Sequence, residues 1–388
     1  MRSPSIGLYT YSTLPRGSVV HAAHLADALH DAGRDVTLYA LDKDSRGFFR
    51  PLRAPLRLIP ATASPPTTAE LVRLRATELA DYLLRHGIQH DIHHAEDCLV
   101  ASGLLAARAA GHPVTLARTI HHVEAFTDPY LADCQERSIR QAALRLTVSL
   151  TAQQDVRAQF GLPCAIVGNG VDVDRFRIVD AGRVAAWRAR LDAAGPIVLA
   201  VGGVEERKNT LGLLRAFARL RLRHPAAQLV IVGGATVLDH GAYRAAFEAE
   251  RATLPAATRA AVRELGVIAD EDVPALYRLA DVVALPSLHE GFGLAALEAL
   301  GAGTPVVVSS QAPFTEFLTT DCATFVDPRS APAIADGLHA ALAATPARRD
   351  LGRRVAREHS WARVAARHAA AYERIDSHAR DALFGSLA

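Results

Sequence analysis

The most informative part of the sequence is Pro286-Ser287-Leu288-His289-Glu290-Gly291-Phe292-Gly293-Leu294-Ala295-Ala296-Leu297-Glu298-Ala299-Leu300. It follows an apolar run, 281–285, that is typical of a buried parallel strand, and it ends in an Ala/Leu-rich segment that favours a helix. The turn between them offers glycines and the free amides of a helix N-terminus, which suit an anion. Glu290 and Glu298 would repel that anion, but their oxygens accept hydrogen bonds from hydroxyl groups. The stretch therefore predicts a nucleotide-sugar site.

Length and composition limit the class of protein. The chain has 388 residues, enough for two domains with separate cores. Its 43 basic and 41 acidic residues give a net charge of +2, which provides no reason to expect a nucleic-acid partner. No apolar run approaches the roughly 18 residues of a membrane span. The four scattered cysteines favour neither a disulfide framework nor a zinc site, so we expect a cytoplasmic protein.

Short apolar runs alternate with helical patterns along the chain, which predicts parallel sheets covered by helices on both faces. Twelve strands are expected, at 6–11, 36–40, 91–94, 114–117, 145–149, 165–167, 197–201, 228–232, 262–267, 282–285, 306–309 and 323–326. Because twelve strands are too many for one ordinary doubly wound sheet, we expect two sheets of about six. The Asn169-Gly170 turn lies near the boundary, and a last helix from Trp361 has no strand after it.

A second glycine turn follows the first strand of the second half. Gly202 and Gly203 allow a tight turn at the carboxyl end of that strand, where open α/β sheets bind ligands. Lys208 can act as a point charge on a pyrophosphate, and Arg207 is a weaker candidate. The alternative is a solvated basic turn at a helix start. The Walker pattern G-x-x-x-x-G-K-[ST] is absent.

Two loops of the first half also follow strands. Gly17 and Ser18 precede a helix, so their amides can face a phosphate, unless Ser18 only caps the helix. His121 and His122 follow the strand at 114–117, where a histidine can hydrogen-bond a sugar hydroxyl or orient the reacting centre. The alternative is a pair of surface-loop histidines.

Metal binding is not expected at any of these places. Adjacent histidines such as 121 and 122 rarely direct both imidazoles at one ion. The chain has 17 histidines, so we interpret the close spacings 21/24 and 90/93/94 as chance. A dinucleotide fingerprint of the G-x-G-x-x-G/A kind also fits Gly291, Gly293 and Ala296, but five residues separate the strand from its first glycine.

These residues together resemble the retaining glycosyltransferases of family 4. The most specific match is the Glu290-x₇-Glu298 pattern, followed by Gly303-Thr304-Pro305-Val306-Val307, and the turn at 169–172 with Phe176 also fits. The resemblance implies the α/β fold called GT-B, in which two Rossmann-like doubly wound domains face each other across an interdomain cleft. It implies an acceptor-side domain at 1–172, joined by a C-terminal helix at about 361–388, and a donor-binding domain at 173–360.

The resemblance also implies a role for each matched residue. Glu298 would hold the ribose hydroxyls, Glu290 would lie near the hydroxyls of the transferred sugar, and Lys208 would neutralise the leaving diphosphate. The remaining expected site residues are Phe292, Gly293 and Leu294, whose amides would face the sugar and diphosphate; Gly17, which would shape the phosphate loop; and His121, with His122 as the fallback, beside the reacting sugar.

One departure concerns the diphosphate. The family commonly has arginine where this chain has Gly203, and whether Arg207 replaces it is left open. Ser18 also stands where a second glycine is common. Both positions bear on how tightly the phosphates are held.

The implied reaction transfers a sugar from a nucleoside-diphosphate sugar to an unknown acceptor hydroxyl, with retention and without a metal or other cofactor. Glu290 and Glu298 do not suit a covalent mechanism, so the resemblance suggests front-face attack. Alternatives on the same scaffold are a nucleotide-sugar epimerase and a phosphorylase; a different class is an inactive nucleotide-sugar-binding protein.

Arginines 73, 75 and 85 in the helical pattern at 70–85 leave contact with the inner membrane face open, although we favour a solvated helix face.

Overall fold

The alternating pattern of the sequence produces two parallel sheets, one in each of two units of the chain. Unit 1 contains Met1–Asn169 and Trp361–Ala388, and unit 2 contains Gly170–Ser360. The computed structural model describes residues 3–234 and 241–384 of the chain.

Unit 1 has a seven-stranded sheet of order β3-β2-β1-β4-β5-β6-β7, in which all neighbours are parallel. The strands are β1 Ile6–Thr10, β2 Val36–Asp42, β3 Leu56–Pro60, β4 Ile92–Ala95, β5 Leu116–Ile120, β6 Leu144–Thr147 and β7 Ala165–Ile166. The helices are α1 Gly17–Asp31, α2 Thr68–His86, α3 Cys98–Ala109, α4 Pro129–Arg140 and α5 Leu150–Phe160. Because the order reverses between β1 and β4, ligands are expected at their carboxyl ends.

Unit 2 has a six-stranded parallel sheet of order β10-β9-β8-β11-β12-β13. Its strands are β8 Ile197–Val201, β9 Gln228–Val232, β10 Val262–Gly266, β11 Val282–Leu285, β12 Val306–Ser309 and β13 Thr324–Val326. Its helices are α6 Val173–Arg177, α7 Ala181–Leu191, α8 Thr210–Leu220, α9 Gly241–Thr253, α10 Ala256–Ala260, α11 Val273–Leu279, α12 Leu294–Ala302, α13 Phe314–Phe317, α14 Ala331–Leu342 and α15 Pro346–Glu358, with a 3-10 turn at Asp270–Asp272. The order reverses between β8 and β11.

The last helix, α16 (Trp361–Phe384), belongs to unit 1 and packs against α1. Its buried side chains include Trp361, which stacks on His24 with ring centroids 5.2 Å apart. Further along, the Tyr372 hydroxyl lies 2.6 Å from Nδ1 of His94. The helix therefore completes the core of unit 1 rather than that of the unit it follows in sequence.

The structure corrects the expected strand count from twelve to thirteen within the described residues. The missed strand is β3, an edge strand whose middle residues are largely exposed and which ends at Pro60. Proline is tolerated at such an edge because no further strand needs its amide. The apolar pattern was therefore too weak to reveal a strand here.

The expectation of a solvated face on α2 is wrong for Arg75. This side chain is only 4% exposed, and its guanidinium pairs with Glu78 and donates to the Thr62 carbonyl. Arg73 lies over the ring of Tyr130, with its guanidinium carbon 3.5 Å from the ring centroid. Arg75 is thus a buried residue that is held by an ion pair and a hydrogen bond within unit 1. Within residues 3–234 and 241–384, no helix combines the length and the hydropathy of a transmembrane span.

Candidate functional site

Two loops meet at the switch point of unit 2, one after β8 and one after β11. Asn209 joins them, because its side-chain amide donates to the Pro286 carbonyl (3.1 Å); it also donates to the carbonyl of Pro328 (2.5 Å), which follows β13. The amides of Leu288 and His289 in turn donate to the Arg207 carbonyl. This bonding holds the basic residues of the first loop against the Glu290 turn of the second.

Glu290 binds both basic residues of the first loop. Lys208 Nζ lies 2.6 Å from Glu290 Oε2, and Arg207 lies 3.2 Å from Oε1. Arg207 also pairs with the buried Glu205 at 3.2 Å, and Ser287 donates to Glu290 Oε2 at 3.3 Å. Arg207, Lys208, Glu205 and Glu290 therefore form one cluster of two cations and two carboxylates, joined by three ion pairs.

The charge state of Glu290 follows from this cluster. Burial alone would raise the pKa of its carboxyl, but Lys208, Arg207 and the hydrogen bonds from Lys208 and the Gly291 amide lower the pKa to about 2. Glu290 is therefore ionised at neutral pH, so it accepts hydrogen bonds and has no proton to donate.

The backbone explains the glycine at position 203. Gly203 has φ of +76°, and its amide donates to the Val232 carbonyl at 3.0 Å. A Cβ here would lie 3.2 Å from the Gly234 carbonyl oxygen and 3.3 Å from that of Gly233. An arginine at 203 would need this left-handed backbone and this tight space, so the local turn favours glycine.

The α12 N-terminus follows the Glu290 turn. Gly293 precedes the helix with φ of +102°, and no side chain of the described residues caps the helix there. Phe292 is fixed by stacking on Phe317, with ring centroids 4.7 Å apart. The Ala296 amide donates to the Gly293 carbonyl at 2.9 Å, and the Leu294 and Ala295 amides lie before it at a helix end that attracts anions.

Glu298 lies within α12 and has a different environment from Glu290. Its Oε2 accepts a hydrogen bond from the Tyr277 hydroxyl at 2.5 Å. Burial raises the pKa of Glu298, against the opposing effect of this hydrogen bond. Tyr277 packs edge-on against Phe176, which fixes the hydroxyl. One oxygen of Glu298 is thus held by the protein.

In unit 1 the structure excludes the alternative in which Ser18 only caps the helix. The helix α1 already begins at Gly17, Arg16 occupies the N-cap position, and no described side chain caps it. Ser18 is therefore not the N-cap. A Cβ added at Gly17 would meet no described atom within 4 Å, so the space beside this first turn is open.

His121 directly follows β5 and joins a buried polar network. Its Nε2 lies 2.9 Å from Oε2 of Glu96, which follows β4, and Nδ1 of His21 on α1 lies 2.9 Å from the same oxygen. Burial lowers the pKa of His121 to about 4, although the bond to Glu96 acts in the opposite direction. For Glu96, burial raises the pKa, but His21 and His121 outweigh it and hold it well below its usual range.

The two adjacent histidines differ sharply. His122 is exposed and pairs with Glu124 at 2.6 Å, whereas His121 is mostly buried. The structure thus brings Lys208, Arg207 and Glu290 together in unit 2. Glu298, in the same unit, accepts a hydrogen bond from Tyr277. His121 and Gly17 lie in unit 1.

Sequence reasoning missed Glu96, Glu205 and Tyr277. Glu96 had a usable signal, because it is an acid just after a predicted strand, at the sheet edge where ligands bind. Glu205 and Tyr277 had none, since only the folded structure shows that Glu205 contacts Arg207 and that Tyr277 on α11 reaches Glu298 on α12.

Comparison with known sequences gives matches along most of the chain. Residues 15–175 match Glycosyltransferase Family 4, and residues 185–358 match Glycosyl transferases group 1. A D-inositol 3-phosphate glycosyltransferase of Corynebacterium jeikeium is 30% identical over 326 residues, covering 76% of this chain and 75% of the relative.

Solved structures share the fold. Sucrose-phosphate synthase from Thermosynechococcus elongatus superposes with a TM-score of 0.77 at 22% identity, covering 97% of this chain and 100% of that one. Anabaena Alr3699/HepE in complex with UDP-glucose gives 0.73 at 17% identity, covering 97% and 100%. At these identities the likeness concerns the fold, which confirms the expected GT-B architecture.

Proposed function

Because the chain belongs to glycosyltransferase family 4, we propose that it transfers a sugar from a nucleoside-diphosphate sugar to an acceptor hydroxyl, with retention and without a metal ion. The observation that carries the proposal is the convergence of Lys208 and Arg207 on Glu290 at the switch point of unit 2. Two cations and a helix N-terminus in adjoining loops are a favourable environment for a diphosphate. HepE, which has the same fold, was solved with UDP-glucose, and this supports a donor of that class.

Lys208 and Arg207 bind the diphosphate in this proposal. Both now pair with Glu290, so a phosphate oxygen would compete with that carboxylate for them. This chain has Gly203 at the position where the family commonly has arginine, so Arg207 supplies the second positive charge. Stabilising the charge that develops on the leaving group lowers the barrier to bond cleavage.

Glu290 and Glu298 bind hydroxyl groups. Glu290 is ionised and accepts hydrogen bonds from the transferred sugar once the phosphates engage its cations. One carboxylate oxygen of Glu298 accepts a hydrogen bond from Tyr277, and the other oxygen binds the ribose hydroxyls. The amides of Phe292, Gly293 and Leu294 face the sugar and diphosphate, Gly17 leaves space for the phosphates, and His121 hydrogen-bonds the reacting sugar.

The chemical step is a front-face displacement. The acceptor oxygen bonds to the anomeric carbon on the face from which the diphosphate departs, and the acceptor proton passes to the leaving phosphate oxygen. Glu290 does not donate that proton because its pKa is about 2. It is also a poor nucleophile while two cations bind it, which disfavours the two-carboxylate route of retaining glycosidases.

The proposal includes a cytoplasmic location, which is supported by the four free cysteines Cys98, Cys134, Cys164 and Cys322. The acceptor is a hydroxyl compound, and contact with the inner membrane face is no part of the proposed reaction.

The test is a thermal-shift screen of nucleoside-diphosphate sugars, followed by proton NMR of the product. A donor present at 100 times its dissociation constant should stabilise the protein by about 2.7 kcal/mol. The anomeric coupling of the product should match that of the donor. Conversion of the donor to an isomeric nucleotide sugar without an acceptor would indicate an epimerase, and stabilisation by no donor would overturn the proposal.

A further inference from the structure

Three potential metal ligands converge at the sheet edge of unit 1. Glu96 and His121 follow the neighbouring strands β4 and β5, and His21 lies on α1. One ligand atom from each lies within 4.8 Å of the other two, and both imidazoles approach Glu96 Oε2 to 2.9 Å. Among the residues that the structure describes, no other group of three such side chains comes this close.

Several atoms of this group lack a protein partner. His21 and Glu96 are completely buried, yet both ring nitrogens of His21 and Oε1 of Glu96 have no hydrogen-bond partner among the described residues. Nδ1 of His21 is near Glu96 Oε2, but the imidazole is not oriented to bond it. A buried polar atom left unpaired costs about 1–3 kcal/mol, so three in one cluster indicate a missing partner.

We propose that His21, Glu96 and His121 bind one Zn²⁺ ion. Two imidazole nitrogens and one carboxylate oxygen form a known three-ligand zinc set that leaves a fourth position for water. Ligands about 2.1 Å from a common ion lie at most about 4.2 Å apart, so the present separations need only small side-chain adjustments. The ion also compensates the charge of a buried carboxylate, which a single water does not.

The neighbouring histidines do not belong to the ligand set. Both nitrogens of His94 are engaged, with Nδ1 2.6 Å from the Tyr372 hydroxyl and Nε2 2.7 Å from Thr119 Oγ1. His368 Nδ1 lies 2.9 Å from the Val364 carbonyl; its Nε2 has no hydrogen-bond partner among the described residues, but His368 is not part of the group of converging ligand atoms. His121 is 17% exposed, the most accessible of the three ligands, and provides the route by which the ion enters.

The consequence for activity rests on the proposed function. Zn²⁺ bound to His121 Nε2 would occupy a side chain that hydrogen-bonds the sugar in the proposed reaction. The ion is therefore inhibitory and not required. Metal-free transfer and a zinc site are therefore compatible.

The experiment is calorimetric titration of metal-free protein with Zn²⁺, supported by visible absorption with Co²⁺ as a tetrahedral probe. An exposed pair, His224 and His339, lies 2.9 Å apart and offers two competing nitrogens, so all measurements use a His224→Ala background. One equivalent should bind. Glu96→Gln and His121→Ala should each weaken binding by more than about 100-fold, because losing an outer-shell partner alone costs about 10–100-fold. His122→Ala should leave it unchanged.

Circular dichroism and thermal unfolding establish that each variant is folded, and His121→Ala tests the site at its most exposed ligand. Absence of binding to the folded His224→Ala protein would overturn the inference, as would equal affinity in the Glu96→Gln and His121→Ala variants. If Zn²⁺ binds but no nucleotide sugar does, the proposed function fails and the zinc site stands.

Discussion

Nζ of Lys208 lies 2.6 Å from Oε2 of Glu290, although the two residues are 82 positions apart in the chain. This contact joins the loop after β8 to the loop after β11, the two strands between which the sheet order reverses. The chain has only two lysines, and the other, Lys43, is exposed. Lys208 is thus the lysine of the candidate site, and its side chain is 15% exposed.

Lys208→Ala should reduce turnover by roughly 10²–10³-fold, because it removes a charge that stabilises the leaving diphosphate. The measurement is steady-state kinetics with the donor identified by thermal shift. Lys43→Ala is the matched control and should leave turnover unchanged. If Lys208→Ala retains near-normal turnover, another cation neutralises the diphosphate.

Glu298→Ala should weaken donor binding by about 10–150-fold, since a hydrogen bond to a charged group contributes about 1.5–3 kcal/mol. Isothermal titration with the matching nucleoside diphosphate measures the effect without the sugar. Tyr277→Phe removes only the hydroxyl that positions Glu298 and should have a smaller effect. Unchanged affinity in Glu298→Ala would exclude its ribose role.

Gly203→Ala should lower the free energy of unfolding by about 1–2 kcal/mol, because position 203 has a left-handed backbone. Urea denaturation measures it. Gly17→Ala is the control, since Gly17 begins a helix with open space around it, and its stability should not fall. Equal stabilities of the two variants would show that the turn at 203 tolerates a side chain.

Glu290→Gln should destabilise the protein at pH 7 and progressively less as the pH falls. The folded pKa of about 2 lies below the reference value of 4.5, so the stabilisation by ionised Glu290 is present above pH 4.5 and is lost toward pH 2. The shift corresponds to about 3 kcal/mol at neutral pH. Urea unfolding of both proteins from pH 7 to pH 3 tests this, and a difference independent of pH would contradict it.

Excess EDTA should leave the rate of transfer unchanged or raise it, because in the proposed reaction Lys208, Arg207 and the α12 N-terminus take the place of a divalent ion at the diphosphate. Initial rates with and without the chelator give the answer. A loss of activity that added Mg²⁺ or Mn²⁺ restores would show that the donor is bound through a metal.

The sequence predicted those parts of the fold that depend on strong local patterns. Buried runs such as β8 and β11 were predicted with the bounds that the structure shows, because a strand buried on both faces is continuously apolar. The edge strand β3 was missed, since its side chains are mostly exposed and its stability comes from pairing with β2. Pairing partners leave no signal in one sequence.

The candidate site divides in the same way. Glu290, Glu298 and Lys208 could be selected because each belongs to a short motif at a strand end. The double pairing of Glu290, by contrast, depends on how the bond from Asn209 to the Pro286 carbonyl joins two loops that are distant in the sequence. The network around Glu96 depends on three separate elements, so spacing alone assigned His21 to chance and did not connect it with His121.

The helix α16 has a consequence for recombination. It follows unit 2 in the sequence but packs within unit 1, where Trp361 contacts His24 and Tyr372 contacts His94. A chimaera that exchanges everything after residue 169 would therefore bring a foreign helix to the native core of unit 1. Functional shuffling of donor specificity between relatives should require two crossovers, one near each end of unit 2, so that the terminal helix is inherited with the first half.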